Sequence, residues 1–410
     1  MKKNSAGQID KYKAQLVAKG FTQVEGINYF ETFAPVIILA SIRSILTIAL
    51  RNNWPIDMFN FHSAFLNGEL GDNEEVYMEQ PLGYEERDQK RFCVQLLKSI
   101  YGLKQARHKW YEVVFKLMCD IGFHRSEADP AVFYLHHDGH ILLIAIHVDD
   151  CKITGDSQEH VDKCKNAIKA QFSLTDLGPA SWLLGIKITQ NRKAQTLGLS
   201  QQSYIESILA RFDFTDLKPL STPMDPTIHY SKAQCPQTIE EKAAMRKIPY
   251  REAISALMYC AVATRPDIAL PTALLSQFVK NPGPAHWEAV KHIFRYLLSM
   301  KTLELIYGET DRGLKGYADA DGASQEHRHA ISGYAFLIDG GAVSWLSKKQ
   351  DIITSLTAEA EYVAATHAAK EAIWLKHFLS EVFQPIDKPI PHYCDSQLAI
   401  ALTQDGSHHT

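Results

Sequence analysis

Two carboxylates stand side by side in His147-Val148-Asp149-Asp150-Cys151, between an apolar run at 141–146 and a shorter run at 151–154 that ends before Gly155. This pattern predicts a β-hairpin with Asp149 and Asp150 at its tip. Packing gains nothing from two touching carboxylates. Hard oxygen ligands of this kind suit Mg²⁺, and a pair of such ions is the usual device for in-line phosphoryl transfer. Nucleotidyl transfer is therefore the first chemistry to which these residues point.

Several elements must position that tip. Residues 41–52 read as a helix, with Ser41 as its N-cap and Ile42, Ile45, Leu46, Ala49 and Leu50 at helical spacing. A strand follows at 56–61, then a turn into Ser63-Ala64-Phe65-Leu66-Asn67-Gly68. The chain turns again at Tyr101-Gly102-Leu103-Lys104-Gln105-Ala106, and a helix runs on through Trp110, Val114 and Leu117. Strands at 131–135 and 141–148 join at Asp138-Gly139, a strong hairpin signal. The same turn explains His136-His137-Asp138-Gly139-His140 as a solvated loop tip rather than a metal site. A helix is predicted at 159–172. Residues 219–238, rich in Pro, Ser and Thr, mark a boundary, after which helices are predicted at 250–263, 266–279 and 284–300. The C-terminal part changes pattern: strands at 314–318, 332–338 and 342–345, a long helix at 358–382, a strand at 391–394 and a short helix from Gln397. That βββαβα order is the order of a ribonuclease H fold.

Bulk properties fit an ordinary globular chain of two or three domains: 410 residues, 46% apolar and 22% charged. No apolar run approaches the roughly 18–20 residues of a membrane span. The N-terminal Met1-Lys2-Lys3-Asn4-Ser5 lacks the apolar core of a signal peptide. Seven scattered cysteines without a Cys-x-x-Cys favour reduced thiols in an intracellular setting, cytoplasm and/or nucleus. The net charge of −4 argues mildly against nucleic-acid binding. Acids outnumber bases from Asp311 onward, however, so a basic groove elsewhere is allowed. Walker loops, dinucleotide fingerprints and Ser-His-Asp patterns are not evident.

The ordered blocks Lys13-Ala14-Gln15-Leu16-Val17-Ala18-Lys19-Gly20-Phe21-Thr22-Gln23, Ala64-Phe65-Leu66-Asn67-Gly68, Val76-Tyr77-Met78-Glu79-Gln80-Pro81, Tyr101-Gly102-Leu103-Lys104-Gln105-Ala106, His147-Val148-Asp149-Asp150, Leu184-Gly185-Ile186 and Thr222-Pro223-Met224 are specific. The chain resembles the copia-type LTR-retrotransposon reverse transcriptase from about Lys11 to its last residue. The resemblance implies a mixed α+β and α/β multidomain chain: right-hand polymerase fingers and palm over 1–218, a helical thumb/connection over 219–310, and a ribonuclease H-like domain over 311–410. Asp149 and Asp150 match the hairpin aspartates of the polymerase site. Ala64 and Phe65 fall in the nucleotide-binding turn, with Phe65 at the aromatic that excludes a ribose 2′-hydroxyl. Gln105 lies where the family contacts nucleotide or template, and Lys13 in the finger segment that grips the triphosphate. Asp319, Glu361 and Asp395 match metal ligands of the ribonuclease H domain, with Asp321 and Glu359 as solvated neighbours. The implied cofactor is Mg²⁺, with Mn²⁺ able to substitute. The implied partners are an RNA template, a DNA primer, an RNA–DNA hybrid and dNTPs, with no membrane.

Departures from the pattern set the second expectation. The strand-borne catalytic aspartate of the family falls at Asn60. A lost charge about 4 Å from a cation forfeits roughly 4 kcal/mol per charge pair at an effective dielectric near 20. Asp57, three residues away on the strand, points to the other face. Gln15 stands where a finger arginine is usual, and Arg107-His108 alters the turn after Gln105. The family's fourth ribonuclease H carboxylate has no match before Thr410, Asp405 being too early. The sequence thus predicts either an impaired reverse transcriptase/ribonuclease H or a catalytically dead remnant that keeps the fold. If Asn60 is the lesion, Asn60→Asp is expected to restore primer extension.

Overall fold

The computed structural model describes residues 14–71, 74–86, 92–308, 313–321, 329–354 and 356–404, with the backbone of two short strands at Lys2–Lys3 and Ile9–Lys11. Lys13 lies outside the described residues, as does Asp405. The chain packs as two units, one formed by residues 1–37 and 55–179, the other by 38–54 and 180–410. Among the described residues no helix is long and apolar enough to cross a membrane. All seven cysteines are free.

The first unit is built on a six-stranded antiparallel sheet ordered Leu174–Pro179, Ile56–Phe61, Asp150–Gly155, His140–His147, Val132–His137 and His124–Arg125. Its central strands are apolar, and one face carries the core. Phe59, Phe61, Ile144, Cys151 and Ile153 share one core with Trp110, Val114, Leu117 and Met118 of helix Ala106–Asp120 and with Val161 and Ile168 of helix Gln158–Gln171. Asp138 and Gly139 both take positive φ, 50° and 79°, the geometry that the Asp-Gly turn predicts.

The second unit begins with helix Leu39–Arg51, which is buried on nearly every side. Ser41 is not its cap: the helix starts two residues earlier, Ile38 is the N-cap, and Ser41 sits buried inside the first turns. The anchor is Arg43. Its guanidinium donates to the carbonyls of Val343 at 2.8 Å, Val262 at 2.9 Å and Ala263 at 2.9 Å, and lies 4.0 Å over the Trp345 ring. Burial lowers its pKa to about 10, yet it stays charged at neutral pH. A four-stranded sheet follows in the order Gly341–Lys349, Ile331–Ile338, Leu314–Asp321, His392–Tyr393. Its first three strands are antiparallel; the last runs parallel to Leu314–Asp321. A parallel neighbour needs a crossover, and helix Thr357–Val382 supplies it and packs on the sheet. Between these parts lie a small sheet (Trp182–Leu183, Ile186–Asn191, Thr196–Ser200, Leu305–Tyr307) and a helical core from Gln202–Arg211, Tyr250–Ala263 and Pro284–Ser299.

Candidate functional site

Asp149 and Asp150 sit where the hairpin pattern predicts. His140–His147 and Asp150–Gly155 pair with His147 opposite Asp150, leaving a two-residue turn of Val148 and Asp149. Val148 has φ of +60°, a position that favours glycine and is a genuine outlier for a β-branched residue. Two bonds hold it: Trp110 Nε1 donates to the Val148 carbonyl at 2.6 Å, and Phe61 N donates to the Asp149 carbonyl at 2.9 Å. The tip is thus fixed from a helix and from the neighbouring strand. Backbone strain retained by such bracing is a feature of functional turns.

The register places Asn60 directly opposite Asp150. Asp57, which the alternation put on the other face, is engaged there: Lys165 Nζ donates to its Oδ2 at 2.6 Å in a buried pair. One residue was missed by the sequence reading. Lys152, two positions after Asp150 and therefore on the same face of the strand, brings its Nζ to 2.6 Å from Asp150 Oδ2 with only 4% of its side chain exposed. The signal was a lone lysine inside an apolar run. Asp149, Asp150, Lys152 and Asn60 together leave one net negative charge. As they stand, these residues do not fit a pair of divalent ions.

The turn and finger residues have internal partners. Ala64 is buried in the short helix Ala64–Asn67. Phe65 is half-buried, meets Tyr101 edge-on at 4.9 Å, and borders a small hollow with Trp110 and Val148. Gln105 is fully buried. Its amide donates to the Asn28 carbonyl at 3.0 Å and accepts from Gln23 Nε2 at 3.0 Å, so it braces the 23–28 loop. His108 does not disturb the turn: helix Ala106–Asp120 is unbroken, and His108 Nδ1 donates to the Phe33 carbonyl at 2.7 Å. Gln15 is exposed in a cleft of about 1100 Å³ that also involves Lys19, Gln23 and Tyr77. At the Asp138-Gly139 turn, His137 and Asp138 are exposed as expected, while His140 Nδ1 meets Asp156 at 2.7 Å.

The second group of acids is treated differently. Asp319 lies in strand Leu314–Asp321, Glu361 is the fifth residue of helix Thr357–Val382, and Asp395 follows strand His392–Tyr393. Glu361 is 9% exposed. Burial raises its pKa, and the neighbouring Asp319 and Asp395 carboxylates raise it further against a bond from the Ala320 backbone. Glu361, Cys394 and Asp395 bring ligand atoms within 4.8 Å of one another, with Cys394 Sγ donating to Glu361 Oε2 at 3.9 Å. Cys394 was not singled out by sequence. Among the described residues no lysine or arginine is paired with these three acids. Converging carboxylates without a counter-cation are the donor set a divalent ion neutralises, so these residues fit one. Asp319 and Asp395 line a cleft of about 520 Å³, flanked by Tyr317 and Tyr393. Those rings stack at 5.2 Å and are 45% and 50% exposed. Glu359 is a cap instead: its carboxylate accepts from Leu356 N at 3.3 Å.

The family described as reverse transcriptase (RNA-dependent DNA polymerase) matches residues 1–226. The chain belongs to that reverse transcriptase family, in its copia-type, transposon-borne branch. It is 42% identical over 411 residues to the retrovirus-related Pol polyprotein from transposon TNT 1-94 of Nicotiana tabacum, covering 100% of this chain and 31% of that one. It is 30% identical over 312 residues to the putative transposon Ty5-1 protein of Saccharomyces cerevisiae, covering 75% of this chain and 98% of that one. The chain thus spans about a third of the length of the plant polyproteins it matches. Among solved structures, the prototype foamy virus protease–reverse transcriptase aligns over 85% of this chain and 39% of its own at 12% identity, with a TM-score of 0.23.

Proposed function

We propose that the chain is the reverse transcriptase and ribonuclease H part of a copia-type Pol polyprotein, impaired in DNA synthesis and best equipped to cut RNA in an RNA–DNA hybrid. The observation that carries the second half is the convergence of Asp319, Glu361 and Asp395, with no counter-cation among the described residues. The three antiparallel strands, crossover helix and parallel fourth strand that present them support a ribonuclease H-like arrangement. Mg²⁺ or Mn²⁺ bound there supplies charge neutralisation and an ionised water for attack on a phosphodiester. The protein's own contribution is positional. The sheet holds Asp319, the helix holds Glu361 in a half-dry setting, and the Tyr317–Tyr393 pair offers exposed ring faces beside the acids, a surface suited to nucleotides. At the palm, Asp149, Asp150 and Phe65 lie where template, primer and dNTP are expected, but the carboxylate set is short by one and already shares a lysine. This favours the reading of the palm as a remnant. The setting for such work on RNA is intracellular, cytoplasm and/or nucleus.

The test is cleavage of a labelled RNA strand in a hybrid, with Mg²⁺. Cutting is expected from the full chain, together with a loss of about a hundredfold on Asp319→Asn, because the roughly 4 kcal/mol of a lost charge pair, partly offset by the amide oxygen, leaves about 3 kcal/mol. A hybrid left uncut, yet retarded in a mobility-shift assay, assigns this half to the remnant class as well.

A further inference from the structure

We propose that Lys152 is a built-in cation that takes the place of a divalent ion in the palm, so that the hairpin is held together without metal and closed to it. The inference rests on the reading of Asp149 and Asp150 as polymerase acids. Three observations carry it. Lys152 Nζ is 2.6 Å from Asp150 Oδ2, and its side chain is 4% exposed. An ammonium withdrawn from water in this way has to be paired; Nζ makes no well-aligned hydrogen bond, and Asp150 is its one ion-pair partner among the described residues. Lys152 stands opposite Met58 on one side and Ala145 on the other, so its stem is walled by strands and cannot readily swing away. Asp150, finally, faces an uncharged amide in Asn60.

Asn60 and Lys152 act in one direction. Asn60 removes a carboxylate that would otherwise need a cation, and Lys152 supplies a cation to the carboxylate that remains. Because the ammonium is tethered, it competes with a free ion at a high effective concentration. It also offers only donors, so it cannot share a water shell or bridge a triphosphate as a metal does. Restoring the missing acid alone therefore leaves the site occupied: a carboxylate at position 60 would stand opposite Asp150, which still holds the ammonium.

The experiment uses the full chain with Asp319→Asn and Asp395→Asn, so that the C-terminal acids do not register. Mn²⁺ binding is followed by calorimetry in this parent, with Asn60→Asp, with Lys152→Met, and with both. Little binding is expected from the parent and from Asn60→Asp. The double variant is expected to bind at least a hundredfold more tightly, and Asp149→Asn should abolish that gain. Parent binding that Asp149→Asn removes would overturn the proposal, as would Asn60→Asp alone matching the double variant. If Lys152→Met unfolds, Lys152→Gln replaces it. Thermal melting of the parent decides independently: no rise with Mn²⁺ supports the internal cation, and a rise that Asp149→Asn removes overturns it. Primer extension separates the two claims. Mn²⁺ gained without extension retires the polymerase reading and leaves Lys152 standing. Extension without any gain in Mn²⁺ does the reverse.

Discussion

The hairpin acids and the C-terminal acids have the same side-chain chemistry and opposite surroundings. Asp150 lies against a buried ammonium and opposite an amide. Glu361 lies against two further carboxylates, and its pKa is raised by burial and by their charge. Among the described residues the Asp150 carboxylate has a counter-cation and Glu361 has none. What marks a metal site in a sequence is therefore less the number of acids than the number of cations already folded in beside them. An Asp-Asp pair records descent, and its neighbours decide its present chemistry.

The comparison can be broken most directly by exchanging the sites in one assay. Glu361→Gln is expected to lower hybrid cleavage by about a hundredfold, from the charge-pair loss at a metal, while Asp149→Asn leaves the same assay unchanged. Equal losses would mean that the two sites do not act separately. Next in size is stability without metal. Asp150→Asn strands Lys152 in the interior and should cost about 3 kcal/mol in urea unfolding, the lower end of the range for a broken buried pair because Asp150 is partly exposed. Asp395→Asn removes one of three repelling acids and should be neutral or stabilising. A destabilised Asp395→Asn would remove the contrast. Trp110→Phe keeps the ring but loses the bond to the Val148 carbonyl; a cost of about 1 kcal/mol is expected, read from the unfolding midpoint.

The smallest effect concerns pH. Glu361 has a folded pKa above its ordinary 4.5, so folding is most favoured by this group below 4.5, and that contribution is lost as pH rises through the folded value. In EDTA, Glu361→Gln should melt higher than the parent at neutral pH, and the gap should close on acidification. A gap that widens toward pH 4 would reverse the sign and refute the repulsive arrangement.

Much of the frame was legible because local chemistry and global fold agree. Asp138-Gly139 turns with positive φ where the dipeptide predicts, and the helix expected at 250–263 occupies Tyr250–Ala263. Strand Leu174–Pro179 was not seen, because its residues are exposed or half-buried without alternation and only pairing to Ile56–Phe61 makes it a strand. Ser41 misled as a cap because it resembles one; burial between partners distant in sequence decided its place. At the candidate site the acids were visible as types. Lys152 was not, because a single lysine in an apolar run reads as noise until the register shows which acid it faces. Sequence alone expects Asn60→Asp to suffice; the ion pair is the reason that it should not.

Helix Leu39–Arg51 has a temporal consequence. Arg43 on that helix bonds to Val343, 300 residues further along the chain. At a synthesis rate of about 5–20 residues per second, roughly 15–60 s pass between the two leaving the ribosome. Through that interval the apolar helix lacks strand Gly341–Lys349, the last of its native partners to be made. The second unit can therefore close around this helix only late in translation.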